Sequence, residues 1–131
     1  MTSRRATCSC GQLTVEAGGD PVRISVCHCH ACQRRTGSVF GVQARFPRDR
    51  VTIDGESSSW VRTADSGNRI EFHFCPECGA TVWYVIVSDP GLIAVPVGAF
   101  EDSTFPPPRV SVYEERMHPW VKLPEGIEHH D

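Results

Sequence analysis

The 131-residue chain is predicted to be mainly β, built from antiparallel sheet, on three observations. Short runs rich in β-branched and aromatic residues recur along most of its length. Glycine, proline, aspartate and asparagine separate them at close intervals, which suits turns rather than helices. Only Ala31–Arg35 reads as helix, and for about one turn. Taken in order, Gln12–Ala17, Val22–Val26 and Val39–Phe46 are the first predicted strands, and Val51–Ile53 follows, closed by Asp54-Gly55. Ser59–Thr63 and Arg69–Phe74 flank a hairpin loop at Ala64–Asn68. Thr81–Val87 and Leu92–Val97 flank a stronger turn signal, Ser88-Asp89-Pro90-Gly91. Phe105-Pro106-Pro107-Pro108 is an extended connector, and Val110–Tyr113 is the last predicted strand. The acidic tail carrying His129 and His130 reads as a frayed end.

Length and organisation point to a single domain over residues 1–131, with its core at about 6–124; no internal repeat and no linker divides it. Thirteen basic against sixteen acidic residues give a net charge of −3. That balance, without a basic cluster in the sequence, argues against a nucleic-acid partner. No stretch approaches the roughly 18 apolar residues needed to cross a bilayer. The segment from Met1 to Cys8 is basic with no apolar run behind it, so it does not read as a secretory signal. A cytoplasmic protein, monomeric or homodimeric, is the resulting expectation.

The seven cysteines carry the chemical signal. An odd number cannot pair fully within one chain, and nothing points to export, so a disulfide framework is disfavoured. The cysteines fall into Cys8-x-Cys10, Cys27-x-Cys29-x-x-Cys32 and Cys75-x-x-Cys78, with none standing alone. Clusters at such spacing read as metal ligands rather than packing residues. Residues i and i+2 of a strand point to one side, so Cys8 and Cys10 can grip a single ion from a strand. Cys75-Pro76-Glu77-Cys78-Gly79 reads as a knuckle, with glycine supplying the positive φ of a tight turn, and Cys10-Gly11 repeats that small residue. Two pairs make a four-thiolate structural zinc site. The remaining triplet, Cys27, Cys29 and Cys32, is one ligand short of a tetrahedron, which is the pattern of a site with an open position. Spacing alone leaves a second partition open, in which one zinc takes Cys75, Cys78 and two of the triplet while Cys8 and Cys10 stay free.

Three runs taken together, Cys8-Ser9-Cys10-Gly11, Cys27-His28-Cys29-His30-Ala31-Cys32-Gln33-Arg34-Arg35-Thr36-Gly37-Ser38 and Phe74-Cys75-Pro76-Glu77-Cys78-Gly79, resemble the glutathione-dependent formaldehyde-activating enzyme family, which includes CENP-V-type domains. Val112-Tyr113 and Trp120-Val121 are similar to the family's C-terminal region. The resemblance implies an Mss4-like fold, a small antiparallel β-tent with a structural zinc. It implies Cys8, Cys10, Cys75 and Cys78 as ligands of that zinc, and Cys27, Cys29 and Cys32 as ligands of a second, catalytic and labile one. The implied activity is that of a carbon–sulfur lyase joining glutathione, or another small thiol, to formaldehyde or a related small aldehyde. Three thiolates leave a divalent ion with a net charge of −1, so activation of the incoming thiol is favoured over polarisation of the aldehyde. The alternative is a non-catalytic Mss4-like interaction module that holds only the structural zinc.

Arg34 and Arg35, directly after the triplet, are either a solvated surface pair or contacts for the carboxylates of a thiol substrate. His28 and His30 alternate with the cysteines, and strand geometry sends them to the opposite face. His73 reads as an ordinary strand residue. Trp60, Trp83 and Trp120 are expected in the core or under the rim of the sheet.

Overall fold

A computed structural model describes residues 2–131. Eleven strands form two sheets. The smaller sheet holds β1 (Ser3–Thr7), β2 (Thr14–Gly18) and β5 (Val51–Asp54), all antiparallel, in the order β1-β2-β5. The larger one contains β3 (Arg23–Cys27), β4 (Gly41–Pro47), β6 (Ser58–Thr63), β7 (Arg69–Phe74), β8 (Thr81–Ile86), β9 (Leu92–Pro96), β10 (Val110–Val112) and β11 (Glu128–His129). Its order is β11-β10-β3-β4-β9-β8-β7-β6. The predicted antiparallel pairing holds throughout except at β10, which runs parallel to both β3 and β11. Among the described residues the one α-helix, α1 (His30–Thr36), follows β3; it is capped by Cys29 at its start and by Gly37, at φ 72°, at its end.

Alternation along the strands explains the two faces of the large sheet. Ile24, Ala44, Phe46, Ile93 and Val95 point to one side, where they meet Ala6, Val15 and Ala17 of the small sheet, and Leu13 just before β2, in a core sealed from solvent. Residues of the other parity, among them Arg23, Ser25, Gln43, Arg45, Phe72 and Tyr84, point away from that core and floor a cleft. The floor residues of β3 and β4 are therefore each anchored by an apolar neighbour one position away in sequence, whereas Phe72 lies between Glu71 and His73.

Several expectations are revised. β1 was not foreseen: Ser3-Arg4-Arg5-Ala6-Thr7 is polar and buries fully only Ala6, but its ladder to β2 makes it a strand. The tail is ordered into β11, where His129 bonds Glu114 at 2.7 Å and the His130 N–H donates to the Ser111 carbonyl at 2.8 Å. Trp83 is buried, but Trp60 and Trp120 are 60% and 66% exposed, so those two do not pack in the core. His73 is tied at both ring nitrogens, to Ser57 at 3.0 Å and Glu71 at 2.8 Å, and stacks on Trp83 with ring centroids 3.7 Å apart. None of the described helices is long and apolar enough to cross a membrane.

Candidate metal centres and the arginine-lined cleft

The seven thiols gather into two groups, Cys8, Cys10, Cys75 and Cys78 in one and Cys27, Cys29 and Cys32 in the other, each with its sulfur atoms within 4.8 Å of one another. The four-cysteine group lies where the small sheet meets the β7–β8 connection. Cys8 and Cys10 grip from a turn, not from a strand as expected. The Gly11 N–H closes on the Cys8 carbonyl at 3.1 Å, just as the Gly79 N–H closes on the Cys75 carbonyl at 2.8 Å. Both glycines take positive φ, 87° and 82°, as the turns demand. Backbone and side-chain donors converge on the sulfurs: Leu13 N–H on Cys8 at 3.3 Å, Glu77 N–H on Cys75 at 3.3 Å, and Gln12 Nε2 on Cys75 at 3.0 Å.

The donor set and spacing fit zinc. Tetrahedral Zn–S bonds of about 2.3 Å place sulfurs about 3.8 Å apart; Cys10 lies 3.6 Å from both Cys8 and Cys75. Burial pushes the Cys75 thiol up, but donation from Gln12, Cys78 and Glu77 outweighs it and brings the group down to about 6. For Cys10, the Gln12 backbone N–H favours the thiolate; hydrogen bonding with Cys8 and Cys75 together with burial overrides it, raising the group to about 11. Four thiolates so close together need a cation to carry their charge.

The trio is assembled by the end of β3 and the start of α1. Cys27 closes the strand, Cys29 caps the helix, and Cys32 lies in its first turn, its N–H donating to Cys29 Sγ at 3.3 Å. Hydrogen bonds from the Cys27 and Cys32 thiols, with the Cys32 N–H and nearby Arg62, draw the Cys29 thiol down to about 2. The same sharing, with burial, drives Cys27 strongly upward.

Neither neighbouring histidine joins the trio. His28 turns to the far side, fully buried, with Nε2 2.9 Å from Ser111 Oγ. His30 departs from expectation. The chain leaves its extended path after Cys27, and His30 emerges, exposed, on the wall of the cleft rather than on the opposite face. Gln33 braces the junction, donating to the His28 carbonyl at 2.8 Å and meeting His118 Nε2 at 3.2 Å.

The trio opens onto a cleft of about 400 Å³. Half of the chain's twelve arginines line it: Arg23, Arg34, Arg35, Arg45, Arg62 and Arg116. The one acidic residue on its wall, Asp65, is engaged by Arg116 at 3.1 Å. Arg34 is exposed; Arg35 is half-buried with its guanidinium 5.5 Å over the Phe72 ring and 5.6 Å over Tyr84, so it is not a freely solvated side chain. No basic cluster is visible in the sequence because the six arginines come from five separate segments. A usable signal did exist: Arg23-x-Ser25-x-Cys27 and Gln43-x-Arg45 place polar residues at alternate positions of strands whose other parity is apolar.

The sequence model of the family described as glutathione-dependent formaldehyde-activating enzyme matches residues 3–116, and the chain belongs to that family. Two curated relatives are each named "Putative glutathione-dependent formaldehyde-activating enzyme". One, from Talaromyces marneffei, is 29% identical over 72 residues, 55% of this chain. The other, from Penicillium rubens, is 24% identical over 123 residues, 88% of this chain. The matches span only 38% and 64% of those relatives' own lengths. A Rhodobacter sphaeroides protein of known crystal structure shares the fold, with a TM-score of 0.57 at 21% identity over 78% of this chain and 91% of that one.

Proposed function

We propose that the protein is a zinc-dependent carbon–sulfur lyase that joins a small acidic thiol, with glutathione as the leading candidate, to formaldehyde or a related small aldehyde. The observation that carries this reading is a trio of cysteine sulfurs, one short of a tetrahedral set, at the wall of a small cleft lined by six arginines. The four-cysteine group takes the structural role in the same reading, tying the start of the chain to the β7–β8 turn. Zinc held by Cys27, Cys29 and Cys32 would supply the positive charge that keeps an entering thiol deprotonated near neutral pH.

The chain's own residues do the rest. Arg35 and Arg62 bring positive charge to the neighbourhood of the trio, which favours anionic sulfur over thiol. Arg34 and Arg35 seat a carboxylate of the thiol, Arg35 by its stacked, pre-set fork. The thiolate sulfur forms a bond to the aldehyde carbon, the carbon–oxygen π pair moves to oxygen, and the oxygen takes the proton the thiol gave up. The sum is RSH plus CH2O giving RSCH2OH, with no oxidant and no net proton.

Thiols add to formaldehyde without help, so the test is exchange at equilibrium. Two-dimensional NMR exchange between free and S-hydroxymethyl glutathione should run well above the protein-free rate with wild type and at that rate with Cys29→Ser. Metal counting should find two zinc ions in wild type and one in the variant. Two ions in both, or exchange no faster than the protein-free rate, would sink the proposal.

A further inference from the structure

The arginines of the cleft fall into two sets. Arg34, Arg35, Arg62 and Arg116 come from α1, β6 and the segment after β10. Arg23 and Arg45 lie deeper along the floor. Arg23 shares the face of β3 with Cys27 but stands four residues away, about 13 Å along an extended strand.

Arg23 and Arg45 are directly opposite each other in the β3–β4 ladder. Like charges at facing positions on one side of a sheet destabilise it. Among the described residues no ion pair relieves the two charges, and both Nε–H groups are buried without an acceptor; Asp89 lines the small pocket beside Arg45 without pairing to it. Arg62 Nε is in the same condition. Around the pair lie Ser25, whose hydroxyl accepts from Gln43 Nε2 at 3.2 Å, the Tyr84 ring and Ala94. Glu128 is the carboxylate that acts on Arg23 electrostatically, and it is already bonded to His130 at 2.7 Å. Buried guanidinium donors left unpartnered cost free energy unless an anion accepts from them. A sheet that places two such groups face to face, in a chain of net charge −3, is arranged for an incoming acid.

We propose that Arg23 and Arg45 form a second anion subsite that selects thiols bearing an acidic group remote from sulfur. The inference rests on the thiol-binding reading of the cleft. It adds a length requirement: one acid near the trio on Arg34 and Arg35, and a second toward the far end of the floor. Glutathione, with two carboxylates on separate arms, meets the requirement; a thiol with one carboxylate beside its sulfur does not.

The test uses sulfur-blocked ligands, so that it depends on neither metal coordination nor turnover. Calorimetric titration of the zinc-loaded full chain compares S-methylglutathione with S-methyl-N-acetylcysteine, which keeps a single nearby carboxylate. Arg23→Gln and Arg45→Gln are each expected to weaken S-methylglutathione about tenfold, the worth of one charge-assisted hydrogen bond, and to change the shorter ligand less than twofold. The ligand-free melting temperature should hold or rise, because one of two facing like charges is gone. Equal weakening of both ligands, no weakening of either, or a lowered melting temperature without selectivity overturns the subsite. Selective loss of binding in these variants, alongside a wild type that does not accelerate formaldehyde exchange, would leave the subsite standing and remove the lyase reading instead.

Discussion

Cys75→Ser isolates the four-cysteine centre. Cys75 is sealed from solvent, and serine is nearly its size, so little packing is lost; an oxygen can still accept from Gln12 and Glu77. On the proposed zinc reading one of four ligands disappears, and with release of the ion goes a cross-link between positions 65 residues apart, Cys10 and Cys75. Closing a loop of that length lowers the entropy of the unfolded chain by an amount worth about 4 kcal/mol at room temperature. A chain of 131 residues unfolds with an entropy of about 0.28 kcal/mol/K. The melting temperature should therefore fall by about 15 °C, and further if the direct energy of metal binding is counted. Differential scanning calorimetry of zinc-loaded wild type, Cys75→Ser and Cys29→Ser reads the effect. A chelator should lower wild type by a similar amount and leave Cys75→Ser almost unmoved. A Cys75→Ser protein melting within about 3 °C of wild type, or a Cys29→Ser protein falling just as far, would refute the assignment of the structural role to this group.

Three further outcomes follow from the same geometry. Gly55→Ala should lose about 3 kcal/mol in urea titration, because φ is +103° and a Cβ there would stand 2.0 Å from the Gln12 carbonyl oxygen; Gly79→Ala, at φ +82° with open space around it, should lose only about 1 kcal/mol. Cys75, brought below its usual 9.0 to about 6, favours the folded metal-free protein fully above pH 9, and that contribution is lost as pH falls through 6; the urea midpoint of reduced, metal-free protein should drop over this window, and the drop should be smaller in Cys75→Ser, where the lowered Cys78 and Cys29 thiols still contribute. Arg35→Lys keeps the charge but not the plane stacked over Phe72 and Tyr84, so the KM for glutathione should rise about tenfold in the exchange assay, a result that an unchanged KM would contradict.

Local pattern carried the strands and the clustering of the cysteines, while spacing left their division into four and three open until the resemblance implied it and the fold brought those groups together. Alternating β-branched residues marked the strands of the large sheet, and turn chemistry marked the glycines after Cys10 and Cys78, which do adopt positive φ. Two kinds of feature escaped. β1 and β11 are polar segments at the ends of the chain, held by pairing to β2 and β10 rather than by apolar faces of their own, so no periodicity announces them. The cleft is a product of topology: the order β3-β4-β9-β8-β7-β6 brings Arg23, Arg45 and Arg62 onto one surface from segments far apart in sequence. Side-chain exposure was equally unreadable for Trp60 on edge strand β6, since an aromatic residue in a strand looks the same whether or not another layer covers it.

The division of labour by parity within β3 and β4 has an evolutionary corollary. Even-numbered positions keep the molecule folded, while odd-numbered ones choose what it handles, and the two sets share a backbone without sharing a surface. Drift at Arg23, Ser25, Gln43 or Arg45 could retune ligand preference one position at a time while Ile24, Ala44 and Phe46 stay put. Descendants with an identical scaffold could then serve quite different small molecules.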